Sequence, residues 1–213
     1  ESSVGVKYDK DKLAKVIENL DCMAEENQIP SVSAKPEFTG EKFEVAAEQI
    51  GTAIDKDKFA ETVTKAINGF QSEVDLMKED CYILPKYTKD SPEVAKACEK
   101  MNSELGANIT LDFSPNTEVV DSSVISQWIT VDDNMQVTFN QDAVKQYIAD
   151  LAAKYDTVGK TRNFTTATGN VVQVEGGGYG WKIDQDAEYN ALITNIQNAE
   201  TVTREPNYSS RAA

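Results

Sequence analysis

The chain has 213 residues, 40% of them hydrophobic and 27% charged, which is enough for one large soluble domain or two small ones and too apolar for a disordered chain. It contains no histidine, so Ser-His and Cys-His catalysis, His-ligated zinc and imidazole acid/base chemistry are excluded. Its 36 acidic against 21 basic residues give a net charge of −15, which would repel a phosphate backbone and excludes nucleic acid as a partner.

Glu1 is preceded by neither an initiator Met nor a signal-type apolar stretch, which reads as a processed or excised fragment. The first predicted helix spans residues 9–20, with Leu13, Val16, Ile17 and Leu20 at i, i+3, i+4, i+7 behind an N-cap Asp9. Phe38 to Val45 alternate apolar and polar around Gly40, the pattern of a hairpin. A Gly51-x-x-Ile54-Asp55 turn follows, in which Gly51 serves the turn and Asp55 caps a second helix carrying Phe59, Val63, Ala66 and Ile67. Pro85-x-Tyr87 forms an extended exit, since proline blocks helical continuation. Ser91-Pro92-Glu93 then opens a helix with Val94, Ala97, Cys98, Met101 and Leu105 on one face, and Gly106 ends it. Cys98 reads as a small buried hydrophobe of that stripe. Residues 109–113 alternate as a strand, Asp121 caps a short helix holding Ile125 and Trp128, and residues 135–139 form another strand. Asp132-Asp133-Asn134 lacks the spacing of a calcium loop and reads as a polar turn.

The remaining elements repeat the first ones. Residues 140–151 match residues 9–20 at an offset of 131, with Asn140 in the place of Asp9 and Val144, Tyr147, Ile148 and Leu151 on the apolar face. At an offset of 129, Phe43, Val45, Gly51, Ile54 and Asp55 fall on Val172, Val174, Gly180, Ile183 and Asp184. A second hairpin turns at Thr168-Gly169-Asn170, Asp184 caps a helix with Tyr189, Leu192, Ile193 and Ile196, and Asp186 and Glu188 suit the positive end of its dipole. Both copies finish at Pro-x-Tyr, Pro85 to Tyr87 and Pro206 to Tyr208. The expected fold is α+β: two related modules, residues 1–88 and 89–213, of helices packed on small antiparallel sheets.

The chemistry is sparse. Cys22, Cys81 and Cys98 form no metal motif and no dense framework, and leave a Cys22–Cys81 or a Cys81–Cys98 bridge open. The Gly176 to Gly180 run fails the dinucleotide fingerprint, which needs glycine where Trp181 stands. These glycines fit positive φ at a strand exit or a close backbone approach. Tyr179 and Trp181, on either side of Gly180, suit a platform for the apolar face of a sugar or plugs for the module's core, and both readings stand at this point. No residue set singles out catalysis, a metal or a cofactor, so the chain is expected to be noncatalytic.

Residues 172–213 carry Gly-Gly-x-Tyr-Gly-Trp-x-Ile-Asp, spaced Leu and Ile, then Arg-Glu-Pro-x-Tyr. This string resembles the peptidoglycan-binding module that precedes the catalytic domain in L,D-transpeptidases of Gram-positive bacteria. The likeness extends upstream through Lys154-Tyr-Asp-Thr157, Trp128-Ile129 and the 109–113 strand, and residues 9–87 look like a divergent partial copy. The resemblance implies peptidoglycan as partner, with Tyr179, Trp181 and Tyr208 as contacts. It also implies a cell-surface setting, a downstream catalytic domain in the same chain and an N-terminal membrane anchor. The family's catalytic domain uses a His and a Ser-His-Gly-Cys motif that these residues lack. The expected role is to position a transpeptidase on the wall; the alternative is a structural spacer and intramolecular partner without a ligand.

Overall fold

A computed structural model describes residues 7–211. Their contacts divide into two compact units, the residues up to 37 together with 45–95, and residues 38–44 together with 96 onward.

In the first unit Asp9 starts α1 (Lys10–Glu18) by accepting from the N–H groups of Asp11 and Lys12 at 3.0 and 3.1 Å, two of the donors a helix start leaves unpaired. Two single 3-10 turns (Asp21–Met23 and Glu25–Asn27) precede a hairpin of β1 (Lys35–Phe38) and β2 (Phe43–Ala46), of which residues 38–44 belong to the second unit. Asp55 then caps α2 (Lys56–Asn68) through the Lys58 N–H at 3.0 Å. Ile17, Met23, Ile54, Phe59 and Cys81 form this unit's core.

After α3 (Pro92–Leu105) the second unit is built on a sheet of β3 (Asn108–Asp112) and β4 (Thr117–Val120). There follow α4 (Ser122–Trp128), the hairpin β5 (Ile129–Val131) and β6 (Val137–Phe139), and α5 (Gln141–Tyr155). A second hairpin, β7 (Arg162–Thr165) and β8 (Val171–Val174), leads to β9 (Lys182–Ile183), α6 (Gln185–Gln197), β10 (Thr201–Arg204) and β11 (Tyr208–Ser210). Ile109 and Leu111 of β3 point inward with Val120 of β4, as the two-residue period of a strand requires. They meet Met101 and Leu105 of α3, Ile125 and Trp128 of α4, Val144, Ile148 and Leu151 of α5, and Leu192 and Ile196 of α6. This is an α+β fold of two related modules. Among the described residues no helix is long and apolar enough to cross a membrane.

One strand pairing departs from the expected antiparallel sheets: β10 lies parallel to β3, with Thr201 opposite Asn108 and Arg204 opposite Leu111, giving the order β10-β3-β4. A parallel neighbour needs a crossover, and the chain between the two strands, with α4, α5 and α6, provides it. The cysteines are all free thiols, Cys22 exposed and Cys81 and Cys98 buried, so neither open bridge is formed. Cys98 Sγ lies 3.2 Å from the Phe43 carbonyl, and the Asn102 side-chain amide exchanges two 2.8 Å hydrogen bonds with the Phe43 backbone.

The repeat is visible in matched hydrogen bonds. The N–H of Ile54 donates to Gln28 Oε1 at 3.2 Å, and that of Ile183 to Asp156 Oδ1 at 2.9 Å. The N–H of Asp55 donates to the Cys81 carbonyl at 2.9 Å, and that of Asp184 to the Asn207 carbonyl at 2.8 Å. Ile54 therefore pairs with Tyr82, and Ile183 with Tyr208. The Pro-x-Tyr alignment is corrected here: Tyr82, not Tyr87, occupies the place of Tyr208. The reason is that the exit strand's register is set by backbone bonds to the Ile-Asp turn and not by its proline.

Glu104 of α3 is an outlier in the second unit. Its side chain is buried, neither carboxylate oxygen has a hydrogen-bond partner, and Lys100 Nζ stays 3.7 Å away. Burial pushes its carboxyl above the usual range, because desolvation disfavours the charged form. A folded-state pKa raised above the unfolded value contributes stability that is complete below the unfolded pKa and lost as pH rises through the folded one. Glu104→Met is therefore expected to raise stability at neutral pH by about 1–3 kcal/mol. It should also remove part of the stability the native chain gains between neutral and mildly acidic pH, measured by urea titration at several pH values.

Candidate functional site

The second unit holds a cleft of about 380 Å³ lined by Asp112, Phe113, Ser114, Tyr155, Thr157, Trp181, Glu205 and Tyr208. Each comes from the end of an element. Asp112 closes β3, Tyr155 closes α5, Trp181 immediately precedes β9, Glu205 follows β10 and Tyr208 opens β11. Ends of strands and helices free the side chain from the packing period, so rings can converge there without leaving the core short.

The rings form two pairs. Phe113 and Tyr155 stack with centroids 3.8 Å apart, and Trp181 meets Tyr208 edge to face at 4.9 Å, the arrangement that sets a ring's positive edge against a negative face. Tyr155 is held from behind: its hydroxyl donates to Glu118 Oε1 at 2.6 Å, and Lys154 donates to the same oxygen. Those two donors hold the Glu118 carboxyl below its ordinary value. Trp181 is held through its backbone, its N–H donating to Thr157 Oγ1 at 2.9 Å while its carbonyl accepts from the Thr157 N–H at 2.9 Å.

Tyr208 is positioned by a buried polar network. Glu188 of α6 is fully buried and takes a bidentate pair from Arg204 at 2.8 and 3.0 Å. One of its oxygens also accepts from the N–H and the side-chain amide of Asn207 at 2.8 and 2.9 Å. The acid that the sequence places at the helix dipole is thus the anchor of the 204–207 segment. At the equivalent place of the first unit stands Phe59, with Cys81 in place of Asn207, and both belong to its apolar core. Burial, reinforced by the nearby Glu205, raises the Tyr208 phenol above its usual pKa.

Of the three predicted contacts, the structure brings Trp181 and Tyr208 together and leaves Tyr179 elsewhere. Tyr179 is 59% exposed and borders a separate hollow with Lys160, Phe164 and Val174, so it does not fill the core. Trp181 is half-buried and Trp128 is a core residue. Gly51 and Gly180 each pass against the preceding loop: a Cβ on Gly51 would lie 1.9 Å from the Ile29 carbonyl oxygen, and one on Gly180, at φ +149°, 2.8 Å from Thr157 Oγ1. Asp55 and Asp184 are helix caps. Sequence reasoning missed Asp112, Phe113, Tyr155 and Glu205. The signal for the two rings was faint: an aromatic at the last position of a strand or helix pattern, one residue beyond the packing period.

The sequence matches a family model described as "Putative peptidoglycan binding domain" over residues 2–75 and 87–204. Among solved structures the chain is similar to the Ldtfm–avibactam carbamoyl enzyme, at 29% identity over 55% of this chain and 46% of that one, with a TM-score of 0.45. It is also similar to a cysteine-to-serine mutant of the L,D-transpeptidase of Enterococcus faecium, at 30% identity over 53% and 45% of the two chains, with a TM-score of 0.44. The chain spans less than half the length of these two structures. A comparison with curated proteins finds no match.

Proposed function

This chain belongs to the peptidoglycan-binding domain family, and on that premise we propose that it is a noncatalytic cell-wall binding region whose second unit holds peptidoglycan in the aromatic cleft. The observation that carries the reading is the convergence of Trp181, Tyr208, Phe113 and Tyr155 on one cavity. Aromatic rings with hydroxyls and carboxylates at their edges suit a ligand that alternates apolar faces with polar groups. The setting we infer from the motif resemblance is extracellular, at the wall of a Gram-positive cell. There the region positions an L,D-transpeptidase domain that follows it in the same chain, behind an N-terminal membrane anchor.

The first unit supports a different role. Thr52 and Tyr82 stand where the second unit has Trp181 and Tyr208, so the counterpart of the tryptophan wall is missing. That favours the spacer reading for this unit, with wall contact assigned to the second.

Sedimentation with purified sacculi tests the reading. The native chain is expected to co-sediment, Trp181→Ala to lose about tenfold or more in affinity, as truncating an anchor ring does, and Tyr179→Ala to bind as the native chain does. Failure of the native chain to co-sediment would sink the binding role and leave the spacer role for both units.

A further inference from the structure

We infer that the cleft selects a primary ammonium group, the side-chain amine of an uncross-linked peptide stem, in preference to the glycan strand; this rests on the wall-binding reading above. Among the described residues the lining carries two carboxylates, Asp112 and Glu205, and neither Lys nor Arg. A ligand carboxylate would meet like charge there, whereas an ammonium gains from both acids.

Beside the cleft, two of its lining residues already share a cation. The Arg211 guanidinium lies 5.3 Å over the Tyr208 ring and its Nη1 is 3.0 Å from Glu205 Oε2. A ring face and a carboxylate of the lining therefore converge on a single position of cationic character. The occupant is held weakly, since the Arg211 and Glu205 side chains are 56% and 53% exposed and exposed pairs of this kind contribute little. Arg211 is thus a displaceable stand-in for the ligand's amine. The second cation nearby, Lys154, pairs with Glu118 and lies 5.0 Å over the Tyr155 ring, without being part of the lining.

The test titrates the whole chain with a synthetic stem peptide bearing a free side-chain amine, and with the same peptide N-acetylated at that amine, followed by tryptophan fluorescence and calorimetry. The free-amine peptide is expected to bind, and acetylation to weaken it roughly tenfold. Arg211→Ala should tighten the free-amine peptide by up to about fivefold by removing the internal competitor, and Glu205→Gln should weaken it. Equal binding of the two peptides, or a loss of affinity in Arg211→Ala, would overturn the proposal. If sacculi are retained through Trp181 while neither peptide binds, the amine assignment falls and the wall-binding reading stands. If sacculi and peptides alike fail to bind, both fall.

Discussion

Glu188→Ala is expected to cost about 3–5 kcal/mol of stability, because it leaves the Arg204 guanidinium, whose side chain is only 20% exposed, without its counter-charge. It also strips the N–H and amide of Asn207 of their acceptor. Urea denaturation checks it: the midpoint should fall with little change in slope. The first unit indicates how to separate the charge from the packing, since Phe59 fills the same place without a charge. Removing both charges together, as in Glu188→Phe with Arg204→Leu, is expected to recover most of the loss, as replacing a buried pair by apolar groups generally does. If the double replacement is as unstable as Glu188→Ala, the network contributes more than its own desolvation and this account of it is wrong. Arg204 and Asn207 bracket Glu205, so the single variant should also disturb the cleft wall, visible as altered Trp181 fluorescence without any ligand.

Gly51→Ala and Gly180→Ala should each destabilise their own unit by roughly 1–3 kcal/mol, the usual cost of forcing extra atoms into a packed site, and Gly180→Ala should be the more informative of the two. At Gly51 the obstacle is main chain, the carbonyl of Ile29, which cannot rotate away because it accepts from the N–H groups of Thr52 and Ala53. At Gly180 the obstacle includes Thr157 Oγ1, and φ lies in a region L-residues avoid. Thr157 is also the residue that fixes the Trp181 backbone. The Gly180 variant is thus expected to lose sacculus binding along with stability, and the Gly51 variant to lose stability alone. Retained binding in Gly180→Ala at a temperature where it is fully folded would contradict the link between this loop and the cleft.

How much could be read beforehand follows from the range of the interactions involved. Asp9, Asp55, Asn140 and Asp184 were legible as caps because a cap joins residues two or three positions apart. The hairpins were legible from alternation around glycine turns, and the cores of α5 and α6 from apolar spacing. The register of the exit strands was not, since it is fixed by the Asp55 and Asp184 N–H groups reaching carbonyls far along the chain. The same holds for β10, whose parallel partner lies on the far side of α6. Glu188 illustrates the limit most directly: an acid in a first helical turn suits the dipole from sequence, and only the packed fold shows that it faces inward to Arg204. Two of the cleft's four rings, Trp181 and Tyr208, were visible. Phe113 and Tyr155 were not, because nothing local marks two rings that meet only after β3 and α5 have packed.

The parallel pairing of β10 with β3 has a consequence for the order in which the second unit can be completed. During synthesis β3 and β4 emerge early and close a local hairpin, but the other edge of β3 stays without its partner until α6 and the residues beyond it have left the ribosome. Through that interval a strand with Ile109 and Leu111 on its inner face presents open backbone donors and acceptors, the kind of edge that recruits strands from other chains. The slow, non-local closure of the sheet, more than the strength of any single contact, then governs how cleanly this unit reaches its native state.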